Sequence, residues 1–221
     1  MNYKGIPHRT IFIEHHHVEA RAKELGARPT AVKSWDGKDP FYTLPILNDP
    51  NTGATISDSA VIIEYLDETY PETPRLNPKG CKTFQKAFKD ALSSKLGAMW
   101  QFALAPTRAV LSPDAQAYFI KRWEFLCGKK FDDILPRGSI RDAEWEIFKN
   151  GLGEVDAWFK DDQKFVMEDA LTVADLDLVG FLIWLKTIWG VDSTEWKNVS
   201  AWHDGRWGEL VQNVEQYLTV T

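Results

Sequence analysis

Three prolines in a short stretch divide this sequence into two parts with different patterns. These are Pro71, Pro74 and Pro78, and Gly80 follows them. Proline lacks a backbone N–H and clashes with the preceding helical turn, so no helix can run through this stretch. We therefore predict a first domain at residues 1–70, an interdomain linker at 71–80 and a second domain at 81–221.

Short strand-like and helix-like segments alternate before the linker. Runs rich in β-branched and apolar residues predict strands at 10–13, 44–47 and 54–56, with a hairpin loop at 49–53. A helix is expected at 18–25, closed by Gly26, and another runs from Ser59 to about Thr69. These segments indicate a small α/β domain.

Apolar residues recur at helical spacing throughout the part after the linker. The stripes predict helices around residues 84–96, 118–126, 145–159 and 207–214. Residues 174–189 are apolar on nearly all sides, which indicates a buried central helix. The expected fold class is a small α/β domain followed by an all-α domain.

Composition excludes several classes of protein. The chain is 44% hydrophobic with a formal net charge of −6, and no block of Lys and Arg points to nucleic acid or an anionic membrane. The longest apolar run, 178–185, is too short to span a bilayer. Two distant cysteines, Cys81 and Cys127, suit a reducing compartment, and no signal peptide is recognised. We expect a cytoplasmic protein.

Pro45 lies inside a run that otherwise predicts a strand. One interpretation is an edge strand, where the missing N–H does no harm. The other is a cis proline that turns the N–H and C=O of Leu44 outward, where an extended peptide can pair with them.

Ser57-Asp58-Ser59 opens the next helix. Serine and aspartate are preferred N-cap residues, so capping alone explains the pattern. The unpaired N–H groups and the dipole at a helix start also favour a carboxylate, and Asp58 can take an ammonium group. A peptide with an α-amino acid head, such as glutathione, would satisfy both this site and the Leu44 backbone.

The order of these motifs resembles the glutathione transferases. The residues concerned are Thr43-Leu44-Pro45-Ile46, Ile56-Ser57-Asp58-Ser59 with the following Ala60 to Leu66, the proline-rich linker, and Leu171-Thr172-Val173-Ala174-Asp175-Leu176. The last segment has the spacing of a capping box, with Thr172 as the N-cap and Asp175 at the third helical position, and we interpret it as structural. The resemblance implies a thioredoxin-like first domain and an all-helical second domain.

Within that family, Asn2 to Pro7 and the stretch Asp36-Gly37 to Pro45 are most similar to the fungal-specific class A, relatives of bacterial lignin β-etherases. The resemblance implies that Leu44, Pro45, Asp58 and Ser59 bind glutathione as co-substrate. Lys33 is the candidate for its glycyl carboxylate, with Lys38 as the alternative. Met99, Trp100 and Phe102 are expected on the first helix of the second domain, where the family binds its apolar co-substrate; a core role is the alternative.

The start of the chain departs from the family pattern. The family begins with a strand, a loop that carries a catalytic Ser, Cys or Tyr, and a first helix, whereas residues 1–5 resemble the end of that helix. No catalytic residue is therefore carried over. We expect the chain as given to be a poor transferase with a weakly folded first domain and an intact helical second domain.

His15-His16-His17 is the remaining candidate for a site. Neighbouring side chains on an extended segment point to opposite faces, and no cysteine or carboxylate cluster joins these at ligand spacing, so we expect no metal. Neither cysteine is marked as an activated thiol.

Three functions follow as hypotheses. The first is a glutathione transferase that acts on small apolar or aromatic electrophiles, possible examples being phenolic or wood-derived compounds. The second is a binding protein for small aromatic molecules without catalysis. The third is a structural module that docks protein partners, against which the lack of an extra domain argues. Whether a homodimer forms is left open.

Overall fold

Two short antiparallel hairpins and nine α-helices make up the described part of the chain. The computed structural model describes residues 1–35, 37–160 and 162–219. The strands are β1 Ala31–Val32, β2 Pro40–Phe41, β3 Ile46–Asp49 and β4 Ala54–Ser57; the helices are α1 Val18–Glu24, α2 Ser59–Thr69, α3 Lys82–Lys95, α4 Met99–Ala109, α5 Pro113–Cys127, α6 Gly138–Asp156, α7 Val173–Trp189, α8 Thr194–Ala201 and α9 Arg206–Val214. Within the described ranges, no helix combines the length and the apolar character that crossing a membrane requires.

The first domain combines these hairpins with α1 and α2. β1 pairs with β2, and β3 pairs with β4 in the register Ile46 opposite Ser57 and Asp49 opposite Ala54. The predicted hairpin loop at 49–53 and both predicted helices are confirmed. This small α/β domain precedes the helices, so the predicted fold class is confirmed.

Two of the predicted strands need correction. Residues 10–13 form no strand among the described residues, and Ile11 and Phe12 are 54% and 81% exposed. A run of β-forming residues becomes a strand only where a neighbouring strand pairs with it, and here none of the described residues does. The strand predicted at 44–47 begins two residues later, at Ile46, because Pro45 has no N–H for the ladder.

Helices dominate the described part of the second domain, as predicted, with α7 at its centre. Leu178, Leu182 and Leu185 on α7 are at most 1% exposed and belong to one large apolar cluster. α3, α4, α6 and α9 contribute to the same cluster, including the fully buried Trp207. The periodic stripes missed α8, and they did not indicate α4 as a separate helix. The signal for α8 is an N-cap serine, Ser193, that accepts from the Trp196 N–H at 3.1 Å.

The proline-rich stretch contains no helix between Thr69 and Lys82. Leu76, within it, is only 4% exposed and packs into the large cluster of the second domain. The domain limits at 70 and 81 stay a prediction, but the stretch itself is anchored to the second domain.

The predicted capping box at the start of α7 is present. The Asp175 carboxylate accepts from the Thr172 N–H at 2.8 Å and from the Thr172 hydroxyl at 2.9 Å. Leu171, just before the cap, is 3% exposed in the cluster against which Leu176 packs. These residues stabilise the helix start, so their interpretation as structural fits the geometry.

Candidate functional site

The open end of the β3–β4 hairpin brings Pro45 and the start of α2 together. The ladder ends at the pair Ile46–Ser57, so the residues just beyond it, Pro45 and Asp58, lie side by side. The Leu44–Pro45 bond is cis, as predicted, and Leu44 is 44% exposed. One end of one hairpin therefore carries both predicted parts of the glutathione site.

Asp58 makes the sharp turn from β4 into α2. Its Oδ1 accepts from the Ala60 N–H at 2.8 Å and the Val61 N–H at 3.4 Å. Its backbone lies at φ 78°, a region that non-glycine residues rarely adopt, and such outliers cluster at functional sites. Asp58 is thus an N-cap as well as a candidate ligand group.

Ser59 is the first residue of α2, and it is exposed, as predicted. α2 has 11 residues, long enough for a helix dipole that favours an anion at this end. The neighbouring Ser57 hydroxyl is buried, and none of the described residues forms a hydrogen bond with it. A carboxylate placed here would meet the Ser59 hydroxyl and the positive end of the α2 dipole.

Asp49, at the turn end of the β3–β4 hairpin, fixes that hairpin to α2. Its Oδ2 accepts from the hydroxyls of Tyr65 and Tyr70, both at 2.6 Å. These hydrogen bonds, from Tyr65 first, hold the pKa of Asp49 below its usual value. The carboxylate therefore stays ionised, and it connects the turn end of the hairpin to the C-terminal half of α2.

Lys33 and Lys38 lie around the β1–β2 hairpin. The Lys33 ammonium is 2.9 Å from Glu19 and 3.9 Å from Asp39, and its side chain is 17% exposed. A glycyl carboxylate at Lys33 would therefore compete with Glu19, whereas Lys38 is exposed. Asp36, part of the stretch that resembles the fungal class, lies outside the described residues.

The proposed apolar substrate pocket is only partly supported. Met99, Trp100 and Phe102 begin α4, the second helix of that domain and not the first. Met99 and Phe102 are 1% and 3% exposed within the core, because positions three apart share one helix face. Of the three, Trp100 alone retains exposed surface, since it is turned away from that face.

Trp100 belongs to an aromatic cluster that the sequence did not indicate. Its ring centroid lies 5.2 Å from that of Trp123 on α5, and 6.0 Å and 5.3 Å from those of Phe181 and Trp184 on α7. All four side chains are partly exposed. Because α7 is apolar on nearly all sides, its sequence pattern does not single out the face that Phe181 and Trp184, three residues apart, share.

The histidine run is not extended. His15–His17 forms a 3₁₀ helix, and the ring centroids of His16 and His17 are 3.9 Å apart. The expectation that neighbouring histidines point to opposite faces is therefore wrong. The Glu14 carboxylate lies close to the ring nitrogens of His16 and His17, contrary to the expectation that no carboxylate joins the histidines.

Two protein-family models match this chain. Residues 1–69 match the model of the glutathione S-transferase N-terminal domain, and residues 83–217 match that of the C-terminal domain. A search of curated proteins found no match.

Two solved structures are similar to the whole described fold. A glutathione S-transferase of Ceriporiopsis subvermispora in complex with glutathione is 38% identical with a TM-score of 0.92; the match covers 100% of this chain and 88% of that one. The glutathione transferase GSTFuA3 of Phanerochaete chrysosporium is 36% identical with a TM-score of 0.90, and the match covers 100% and 87%.

Proposed function

Because this chain belongs to the glutathione S-transferase family, we propose that it joins the thiol of glutathione to small apolar or aromatic electrophiles. Enzymes of this kind stabilise the glutathione thiolate with a hydrogen-bond donor, and the thiolate attacks the electrophile. The similarity to fungal relatives, one of them in complex with glutathione, supports glutathione as the co-substrate.

The observation that carries the proposal is the shared end of the β3–β4 hairpin. Leu44 offers its backbone there, and the start of α2 with Ser59 lies beside it. The peptide backbone of glutathione would pair with Leu44 as an added strand does. Its γ-glutamyl carboxylate would then lie at the positive end of the α2 dipole and reach the Ser59 hydroxyl.

The aromatic cluster around Trp100 supports aromatic electrophiles as the substrate class. Trp100, Trp123 and Trp184 offer partly exposed ring surface. Flat aromatic molecules stack on such surfaces, and we include phenolic compounds derived from wood among the proposed substrates. The same surface favours a second candidate function, the binding of aromatic molecules without catalysis.

Substituting Ser59 tests the glutathione site. We expect Ser59→Ala to raise the KM for glutathione by roughly tenfold or more with a smaller effect on kcat, since a hydrogen bond to a charged group contributes about 1.5–3 kcal/mol. The measurement is the initial rate of conjugation to a chromogenic chloronitrobenzene as glutathione is varied.

Ser139→Ala is the matched control, because Ser139 is also an exposed serine in the first turn of a helix, α6. It should leave the KM unchanged. Equal KM values for Ser59→Ala and the parent would reject the site. Quenching of tryptophan fluorescence by an aromatic ligand without any turnover would favour the binding function.

A further inference from the structure

The turn before α1 gathers three side chains with metal-binding atoms. Glu14 immediately precedes the 3₁₀ helix His15–His17. One carboxylate oxygen of Glu14 and one ring nitrogen each of His16 and His17 all lie within 4.8 Å of one another. The ring centroids of His16 and His17 are 3.9 Å apart, so both imidazoles lie on the same side of this turn.

His16 contributes a nitrogen that needs a partner. Its Nδ1 is buried, and none of the described residues forms a hydrogen bond with it. The nearest acidic oxygen, Oε2 of Glu14, is 3.8 Å away, which is beyond hydrogen-bond distance. A buried polar atom without a partner is costly, and a metal ion between Glu14 and His16 would remove that cost.

Ser112, the N-cap of α5, holds the Glu14 carboxylate in place. The Ser112 hydroxyl donates to Glu14 Oε2 at 2.7 Å and accepts from the Ala115 N–H at 3.4 Å. Metal-binding carboxylates are commonly oriented by such an outer hydrogen bond. The donor group is therefore supported from a second helix and does not depend on the short turn alone.

The chemistry and access of this group suit a transition metal. Two imidazoles and one carboxylate form a ligand set used for zinc, with the fourth position left to water. Tetrahedral zinc with bonds of about 2.0–2.1 Å holds its ligands roughly 3.4 Å apart. The donor atoms lie within 4.8 Å of one another, so they would have to move closer together to bind zinc. Glu14 and His17 are exposed and have room to move, and His16 is half-buried.

We propose that Glu14, His16 and His17 form a binding site for a divalent transition-metal ion of the zinc class. The site lies outside the Pro45–Ser59 region and does not depend on the proposed transferase activity. A bound ion would connect the turn before α1 to the start of α5 through Glu14 and Ser112, and so tie the first domain to the second.

Titration with zinc alone tests the proposal. The untagged protein, in buffer without glutathione, is titrated by calorimetry, and cobalt is added separately to record its visible absorption. We expect one ion per chain and the intense visible bands of four-coordinate cobalt. Zinc should also raise the melting temperature of the parent protein, because it binds the folded state.

Substitutions identify the ligands. His16→Gln, His17→Gln and Glu14→Gln should each weaken zinc binding by roughly tenfold or more, and Ser112→Ala should weaken it by about tenfold. His15→Gln is the matched control: it removes a histidine from the same run, but that ring packs on Phe119 and does not belong to the donor group.

Three results would overturn the site: no zinc binding by the parent, unchanged affinity in both His16→Gln and His17→Gln, or an equal loss in His15→Gln. Because His17 is exposed, its substitution should not disturb folding, and His17→Gln therefore separates loss of zinc binding from misfolding. His17→Gln should melt like the metal-free parent, yet its melting temperature should no longer rise with zinc.

Discussion

Several residues around Thr172 stabilise the start of the central helix. The first N–H groups of a helix have no partner within it. Here the Thr172 N–H donates to Asp175, the Val173 N–H to the Leu76 carbonyl at 3.1 Å, and the Ala174 N–H to Gln85 Oε1 at 2.9 Å. Burial raises the pKa of Asp175, and the hydrogen bonds that its carboxylate accepts from the Val166 N–H, the Thr172 N–H and the Thr172 hydroxyl act against that shift.

We expect Thr172→Ala to lower the free energy of unfolding by about 1 kcal/mol, the usual cost of losing an N-cap. Urea unfolding followed by circular dichroism measures it. Thr172→Ser, which retains the hydroxyl, should lower the free energy of unfolding by less. A midpoint for Thr172→Ala equal to that of the parent would contradict the capping role.

At the scale of elements, α6 approaches α3 at a glycine. A Cβ added to Gly151 would overlap the backbone carbonyl oxygen of Lys95, at the end of α3. In most helix interiors Gly→Ala stabilises by about 1 kcal/mol. Here the two helices would have to separate, so we expect Gly151→Ala to destabilise the protein by about 1–3 kcal/mol.

Gly180 on α7 is the matched control, since nothing lies within 4 Å of an added Cβ and the residue is exposed. Gly180→Ala should raise stability by about 0.5–1 kcal/mol. The two variants should therefore shift the denaturation midpoint in opposite directions. Shifts of the same sign would show that the α3–α6 approach does not control the effect.

At the scale of the whole molecule, Asp67 connects three segments. Its carboxylate lies 2.7 Å from the Lys4 ammonium, with both side chains 1% exposed, and accepts from the Leu76 N–H at 3.2 Å and the Asn77 N–H at 2.7 Å. Leu76 in turn packs in the core of the second domain. The end of α2, the N-terminal turn and the proline-rich stretch are thus held at one point.

Asp67→Ala should therefore lower the free energy of unfolding by about 3–5 kcal/mol, because Lys4 would keep a buried charge without its partner. Glu64→Ala, on the same helix, removes an exposed ion pair with Lys82 and should cost less than about 1 kcal/mol. Urea unfolding monitored by tryptophan fluorescence compares them. Similar losses would argue against the buried pair as the connection between the domains.

The order of most elements and the location of the proposed glutathione site follow from local patterns in the sequence. Helix stripes, caps and the prolines act locally, so α1, α2 and the helix starts at Ser59 and Thr172 follow from neighbouring residues. The pairing of Pro45 with the Ser57–Ser59 segment followed from motif order, because a hairpin joins nearby residues in a fixed register.

The packing partner of each helix face depends on the tertiary structure. Periodicity shows that Met99 and Phe102 share a face, but not that this face is the core while Trp100 joins Trp123 and Trp184. It also cannot show that Gly151 lies against Lys95, or that Ser112 reaches Glu14 from 98 residues away. Such contacts depend on how separate elements pack. Local sequence patterns do not predict them, because the contacting residues are far apart in the sequence.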